Sequence, residues 1–395
     1  MRSTAITSRL RLLAKLLFVI LCGLAFGFTA QIFLISLLSP TVAGTRDFGL
    51  YWATGRQLVE HLDPYGPGVL SQLEIAMGHP IHYRGLMRNP PWSLPLVYPL
   101  GFLNLQFASV VWTVFMAACL AASIHILWTM AGRPRNRRRL LGYTFGPALI
   151  CLIMGQVSIL ALLGLALFMR LHRTRPFYAG MALCLCLLKP QLFLTFGLVL
   201  ILWIVLNRAW RIVAGTAAGI AIACAIAWLL APHAWAQYAQ MMRTSGIAQE
   251  FIPCLSDALR LNLSPTTAWI RFIPGLLGCV FGLWYFWHRR HAWDWNREGS
   301  LLMLVSFLTA PYSWLYDTVV LLPALLQGVF ATSSRSLLAL FALLSALIEL
   351  GLIGIVWNPA SLYLWTLWSA PAWLAWYLVA ARSAPGRKAA RELVS

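Results

Sequence analysis

Apolar residues in this chain form long unbroken runs at about 16–38, 104–131, 140–169, 177–206, 210–231, 266–287, 299–330, 336–357 and 361–381. A membrane-crossing helix needs ~20 consecutive apolar residues, so six of these runs read as single spans. The stretches 140–169, 177–206 and 299–330 are longer than one crossing requires. Each carries polar, glycine or proline residues near its middle: Met154-Gly155-Gln156, Leu188-Lys189-Pro190-Gln191, and Ala310-Pro311-Tyr312-Ser313-Trp314. Arginine clusters flank 140–169 on both sides. A single crossing would split those clusters across the bilayer, against the tendency of basic residues to stay cytoplasmic. Reading each long stretch as a hairpin keeps the clusters on one face and predicts an all-α polytopic membrane bundle of about 12 transmembrane helices. Arms of ~13–16 residues reach only ~20–24 Å, short of the ~30 Å hydrocarbon core. The hairpin tips are therefore expected to lie recessed in the outer leaflet, where non-helical backbone must line protein or a water-filled cavity.

Composition agrees with this reading. Of 395 residues, 60% are apolar and only 10% charged, a balance that excludes soluble, disordered, collagenous and disulfide-framework classes. Seven of the eight cysteines lie in apolar runs, and Cys254 sits in a polar segment; no metal-ligand spacing joins them. The net charge of +19 follows topology and does not point to nucleic acid. Most Lys and Arg fall in Arg2–Lys15, Arg133–Arg139, Arg170–Arg175, Arg208–Arg211, Arg289–Arg297, Arg335 and Arg382–Arg391. These segments are expected to be cytoplasmic, which places the N-terminus inside a multi-pass cell-membrane protein. The first run exceeds a signal-peptide core of ~7–15 residues and reads as an uncleaved span, although Thr41-Val42-Ala43-Gly44 resembles a cleavage site. The whole chain, 1–395, is expected to form one membrane domain. Two segments, 39–103 and 232–265, are left as outer loops.

Candidate chemistry concentrates in 39–103 and at the hairpin tips. Phe48, Tyr51-Trp52, Gly55, Leu58-Val59 and Leu62 recur at helical spacing and predict an interfacial helix opened by Asp47. Asp47 alone reads as a helix cap, and Asp63-Pro64-Tyr65 as a turn. Arg84 and Arg88 read equally as snorkelling anchors or phosphate ligands. Convergence strengthens the functional reading. The topology puts Asp47, Asp63, Arg84, Arg88, Gln156, Lys189, Tyr316 and Asp317 on one side of the membrane around a recess. An ammonium at the depth of Lys189 costs ~2.5–3.5 kcal/mol on insertion scales and requires an anionic partner or water, which favours a functional role over a salt bridge to Asp317 or another outer acid. Gln156 either caps exposed backbone or binds ligand. Glu349 lies inside a span, apart from this group, and His61, His79 and His82 read as surface histidines. A secondary transporter or lipid flippase with broken helices, or a noncatalytic scaffold, remains an alternative to an enzyme.

The order Asp47-Phe48-x-x-Tyr51, Asp63-Pro64-Tyr65, Pro90-Pro91, Gly155-Gln156, Lys189-Pro190 and Pro311-Tyr312-Ser313-Trp314 resembles glycosyltransferase family 87, over about residues 10–330. Family 87 consists of GT-C membrane enzymes that include polyprenyl-phosphate-mannose-dependent α-mannosyltransferases. The resemblance implies a GT-C-like bundle with an outer-leaflet-facing cavity, a polyprenyl-phosphate-linked hexose donor, mannose foremost, and a glycan or glycolipid acceptor. It further implies inversion, Asp47 as general base, and Lys189 with Arg84 or Arg88 at the leaving phosphate. Asp63, Tyr65, Gln156, Tyr316 and Asp317 would contact the sugar or orient the cation. A monophosphate leaving group needs no metal, so no cofactor is expected. Asn89 before the double proline, Ser158 after Gly155-Gln156, and Tyr316-Asp317 where many members carry histidine depart from the family pattern.

The topology has a direct check. Cysteines introduced beside Gly155, Lys189 and Ser313 are expected to react with a membrane-impermeant thiol reagent added from outside. Labelling from the cytoplasmic side alone would overturn the hairpin reading.

Overall fold

The computed structural model describes residues 2–39, 46–69, 71–72, 86–246, 250–357 and 366–383. Among them every regular element is helical. The longer helices are α1 (Arg2–Leu38), α2 (Asp47–Val59), α3 (Leu105–Met130), α4 (Gly146–Met154), α5 (Ser158–Leu171), α6 (Pro176–Cys186), α7 (Leu194–Asn207), α8 (Trp210–Leu230), α9 (Ala234–Thr244), α10 (Leu255–Leu263), α11 (Ile273–Arg289), α12 (Trp295–Leu308), α13 (Leu322–Ala331), α14 (Arg335–Trp357) and α15 (Ser369–Arg382). Short 3-10 turns precede several of them, including Pro190–Phe193 before α7 and Leu315–Leu321 before α13.

Among the described residues six helices are long and apolar enough to cross a bilayer: Leu12–Leu38, Leu105–Met130, Pro190–Asn207, Trp210–Leu230, Ala268–Ala292 and Arg335–Leu352. They make this a membrane protein. The expected count of about 12 is not reached by that measure, because the other six expected spans are occupied by shorter helices. Those are α4, α5, α6, α12, the joined turn and helix Leu315–Ala331, and α15. The predicted cleavage-like stretch at 41–44 lies outside the described residues.

All three long stretches break where their polar residues sit. The first stops at Met154 and resumes at Ser158, the second has a gap between Cys186 and the Pro190 turn, and the third opens between Leu308 and Leu315. Proline opens the new segment at Pro190, where its missing N–H is harmless. Gly155, at φ 71°, closes α4 in the left-handed conformation that a glycine adopts without a Cβ clash.

Close helix packing secures the region behind these breaks. α6 lies against both α5 and α8. At the α6–α8 crossing, Gly180 faces the backbone of Ile212 and Gly215 faces that of Phe177, so a Cβ at either position would collide with main chain. Small residues let helix backbones approach in this way where lipid offers no hydrophobic drive. An aromatic core built on Trp295 joins α5, α7 and α12, with Phe168, Phe196 and Trp203 at centroid distances of 5.5, 4.9 and 5.8 Å. α2 packs through Gly55 against Gly101 in the turn Tyr98–Phe102, which fixes its course relative to the rest of segment 86–103.

Gly215→Leu is expected to force α6 and α8 apart and cost about 1–3 kcal/mol, the range for overpacking. Gly197→Ala, where the added methyl meets open space, is expected to leave the thermal midpoint unchanged or raise it. Equal midpoints for the two variants would show that the α6–α8 crossing does not need its glycines.

Candidate active site

Arg46 and Asp47 start α2, and their side chains go in different directions. Arg46 is the N-cap residue and is buried. Its guanidinium donates to the Leu152 carbonyl at 2.9 Å, to Ser109 Oγ at 3.0 Å and to the Ser36 carbonyl at 3.3 Å. One cation thus joins α1, α3 and the last turn of α4, where carbonyls lack helical partners and the helix dipole is negative. Asp47 follows at the first helical position. Its Oδ2 accepts a hydrogen bond from Gln156 Nε2 at 2.6 Å, so its carboxylate is engaged across the fold, beyond any local capping.

Gln156 stands just past Gly155. The Gly155 carbonyl accepts from Trp112 Nε1 at 2.6 Å, and a Cβ on Gly155 would come within 2.8 Å of the Phe48 Cβ. The Gln156 amide is held at both ends: Oε1 accepts from Tyr51 Oη at 2.9 Å, while Nε2 donates to Asp47 and to Tyr316 Oη at 3.2 Å. Because an ionised carboxylate only accepts, the amide nitrogen must face Asp47 and the oxygen must face Tyr51.

The second and third breaks meet beside this pair. Lys189 Nζ lies 2.6 Å from Asp317 Oδ1 and 4.8 Å from the Tyr316 ring centroid. Ser158 Oγ also donates to Asp317 Oδ1, and Asp317 Oδ2 accepts the Trp314 amide at 2.9 Å. Both members of the ion pair are buried. Of the two readings of Lys189, the structure forms the salt bridge to Asp317. Asn89 Nδ2 and Trp92 Nε1 donate to the carbonyls of Leu188 and Leu187 at 3.3 and 3.2 Å, satisfying the broken end of α6.

A cavity of about 810 Å³ opens onto these groups and is lined by Asp47, Asp63, Tyr65, Arg88, Gln156, Lys189, Tyr316 and Asp317. Eight of the nine expected site residues therefore share one cavity, and Arg84 lies outside the described residues. They are not all alike. Asp63 Oδ1 accepts the Tyr65 amide at 2.8 Å, the turn role its Asp-Pro context predicts. Tyr65 Oη donates to the Asn89 carbonyl at 3.1 Å. Arg88 pairs with Glu250 at 2.6 Å and is about one-third exposed. Residues that sequence reasoning left out of the site include Tyr51, Ser158, Trp314, Tyr238 and Arg46. Tyr51 and Trp314 were visible within the Asp47-Phe48-x-x-Tyr51 and Pro311-Tyr312-Ser313-Trp314 motifs, and Ser158 as a departure from the family pattern; nothing local marks Tyr238 or Arg46. Among the described residues no three His, Cys, Asp or Glu side chains converge on a point.

Enclosure by protein pushes the Asp47 carboxyl above its ordinary value of 3.8, and nearby Asp317 adds to this. The Gln156 hydrogen bond, the Lys189 charge and the Tyr316 hydroxyl pull the other way without cancelling the rise. A carboxylate that faces a cavity with a raised proton affinity suits general-base work.

The family model for glycosyltransferase family 87 matches residues 88–311, more than half of the sequence. The chain belongs to glycosyltransferase family 87. Arg88, Gln156 and Lys189 fall within the matched residues of this glycosyltransferase, whereas Asp47, Asp63, Tyr65, Tyr316 and Asp317 lie outside them. No curated protein and no solved structure matches the chain.

Removing one partner of a buried ion pair strands a charge and costs about 3–5 kcal/mol. Asp317→Asn and Lys189→Met are each expected to destabilise the glycosyltransferase by roughly that amount, with the double variant losing far less than the sum. Additive losses in a thermal-unfolding double-mutant cycle would show that the pair is not coupled.

Proposed function

We propose that this glycosyltransferase moves a hexose, mannose foremost, from a polyprenyl-phosphate donor to an acceptor hydroxyl on the extracytoplasmic face of the cell membrane. The carrying observation is the Asp47 carboxylate, held by Gln156 at the wall of a cavity that also contains Lys189. Asp47 takes the proton from the acceptor hydroxyl as its oxygen bonds to the anomeric carbon. The bond from that carbon to the phosphate oxygen breaks, and the lipid monophosphate leaves from the opposite face, inverting the configuration.

Charge builds on the departing phosphate. An ammonium has three N–H donors; Lys189 commits one to Asp317 and directs the rest toward the leaving group. Arg88, which lines the same cavity beside its partner Glu250, supplies a second cation. Asp317 orients Lys189 and limits the net positive charge around Asp47. Tyr51 and Tyr316 set the amide of Gln156, and Gln156 sets the carboxylate. Asp63 and Tyr65 shape the rim beside the sugar. Membership of a glycosyltransferase family favours this reading over a transporter or flippase that uses the same broken helices.

Transfer needs the ionised Asp47. Because its proton affinity is raised in the folded protein, the rate is expected to fall with decreasing pH around a value above the ordinary carboxylate range. Gln156→Ala removes a hydrogen bond that stabilises the anion, so this acid limb is expected to move to higher pH. Asp47→Asn is expected to lower transfer of labelled sugar from a polyprenyl-phosphate donor about 10²–10⁴-fold while the protein still folds. The sign for stability is opposite. A carboxyl with a raised folded-state affinity stabilises the fold most when protonated and loses that contribution as pH rises through its folded value, so Asp47→Asn is expected to raise the thermal midpoint at neutral pH. Unchanged transfer in Asp47→Asn would remove Asp47 from the role of base.

A further inference from the structure

Segment 232–265 carries little pattern in the sequence, yet it supplies one wall of the cavity. α9 places Gln237, Tyr238, Gln240, Met241 and Thr244 on the lining. These residues are three and four apart and so share one helix face. That face carries no acid or base. It presents two amides, a phenol and a hydroxyl, together with one apolar side chain.

The face is held in place by neutral contacts. The Tyr238 ring packs against Tyr65 at a centroid distance of 5.2 Å, and Tyr238 Oη donates to the Arg88 carbonyl at 3.4 Å. Gln237 Oε1 is buried and accepts no hydrogen bond. A buried amide oxygen without a donor costs about 1–3 kcal/mol, so a ligand hydroxyl that reaches it is rewarded. Three ionised groups of the cavity, Asp47, Lys189 and Asp317, form one connected network, while Arg88 and Glu250, which also line it, pair with each other beside α9. Two chemistries therefore line one cavity. The charged wall suits the phosphate of the donor. The neutral wall, rich in amides and hydroxyls and with paired aromatic rings, suits the hydroxyls and apolar ring faces of a sugar.

We propose that the cavity face of α9, with Tyr65, is the acceptor subsite and that it takes an uncharged carbohydrate. Gln237 and Gln240 bind its hydroxyls, and the Tyr65–Tyr238 pair packs on a ring face. Selection of the acceptor thus resides in 232–265, which adjoins the phosphate site where Tyr238 bonds the Arg88 carbonyl. This proposal rests on the transferase reading above.

The full-length enzyme in nanodiscs, with a short-chain polyprenyl phosphomannose as donor, provides the test. Octyl glycosides of mannose, glucose and galactose are offered beside octanol and a Ser/Thr peptide. Label is expected on at least one octyl glycoside and on neither octanol nor the peptide. Gln237→Ala and Gln240→Ala are each expected to raise the KM for that glycoside about three- to tenfold, the size of one neutral hydrogen bond, and to leave the donor KM unchanged. Octanol or peptide labelled as fast as the glycoside would overturn the proposal. An acceptor KM that moves in neither variant would do the same, as would donor consumption with no glycoside labelled. Donor left intact with every acceptor would instead strike the transferase reading beneath it.

Discussion

A helix that stops inside a bundle leaves carbonyl and amide groups with no partner, and burial makes each such group expensive. In this protein the three interrupted stretches resolve that cost by reaching for one another and for segment 46–103. Arg46 and Trp112 satisfy the end of α4 and its Gly155. Asn89 and Trp92 satisfy the end of α6, and Asp317 satisfies the Trp314 amide. The side chains at the breaks are then brought together by the same contacts. Lys189 finds Asp317, Gln156 finds Asp47, and Ser158 ties the first break to the third.

Much of this was legible beforehand. The positions of all three breaks, the helix begun by Asp47 and the family resemblance came from hydropathy, charge distribution and short motifs. The pairing was not. Lys189 and Asp317 are 128 residues apart, and a one-dimensional pattern states only that a buried ammonium needs some anion or water. Arg46 looked like one more basic residue near a membrane surface because its acceptors are two carbonyls and a serine, which carry no sequence signal. α9 was overlooked for a related reason: its cavity face is neutral and polar, and without a charge or motif such a face reads as solvent-exposed loop. Six of the twelve expected spans are long enough to cross alone among the described residues; the rest are mostly the hairpin arms, whose ~13–16 residues were already too few for a full crossing.

The resulting site separates its tasks by charge. Asp47 is the carboxylate whose environment holds its proton affinity up, and Asp317 is committed to Lys189, Ser158 and a backbone amide. Two acids in one cavity are thereby held differently, one with a raised proton affinity and one committed to a cation, a hydroxyl and a backbone amide. Gln156 stands between them through Tyr316 and the Lys189 cation above that ring, which links the Asp47 carboxylate to the cation.

Arg46 and Asp47 are consecutive residues, and Leu152 and Gln156, four apart, flank the end of α4. Two bonds in parallel therefore rivet the start of α2 to the end of α4. Ser158, two residues past Gln156, holds Asp317 and through it Lys189, so a tilt of the surrounding helices carries acid, amide and ion pair together as one plate and opens no gap among them.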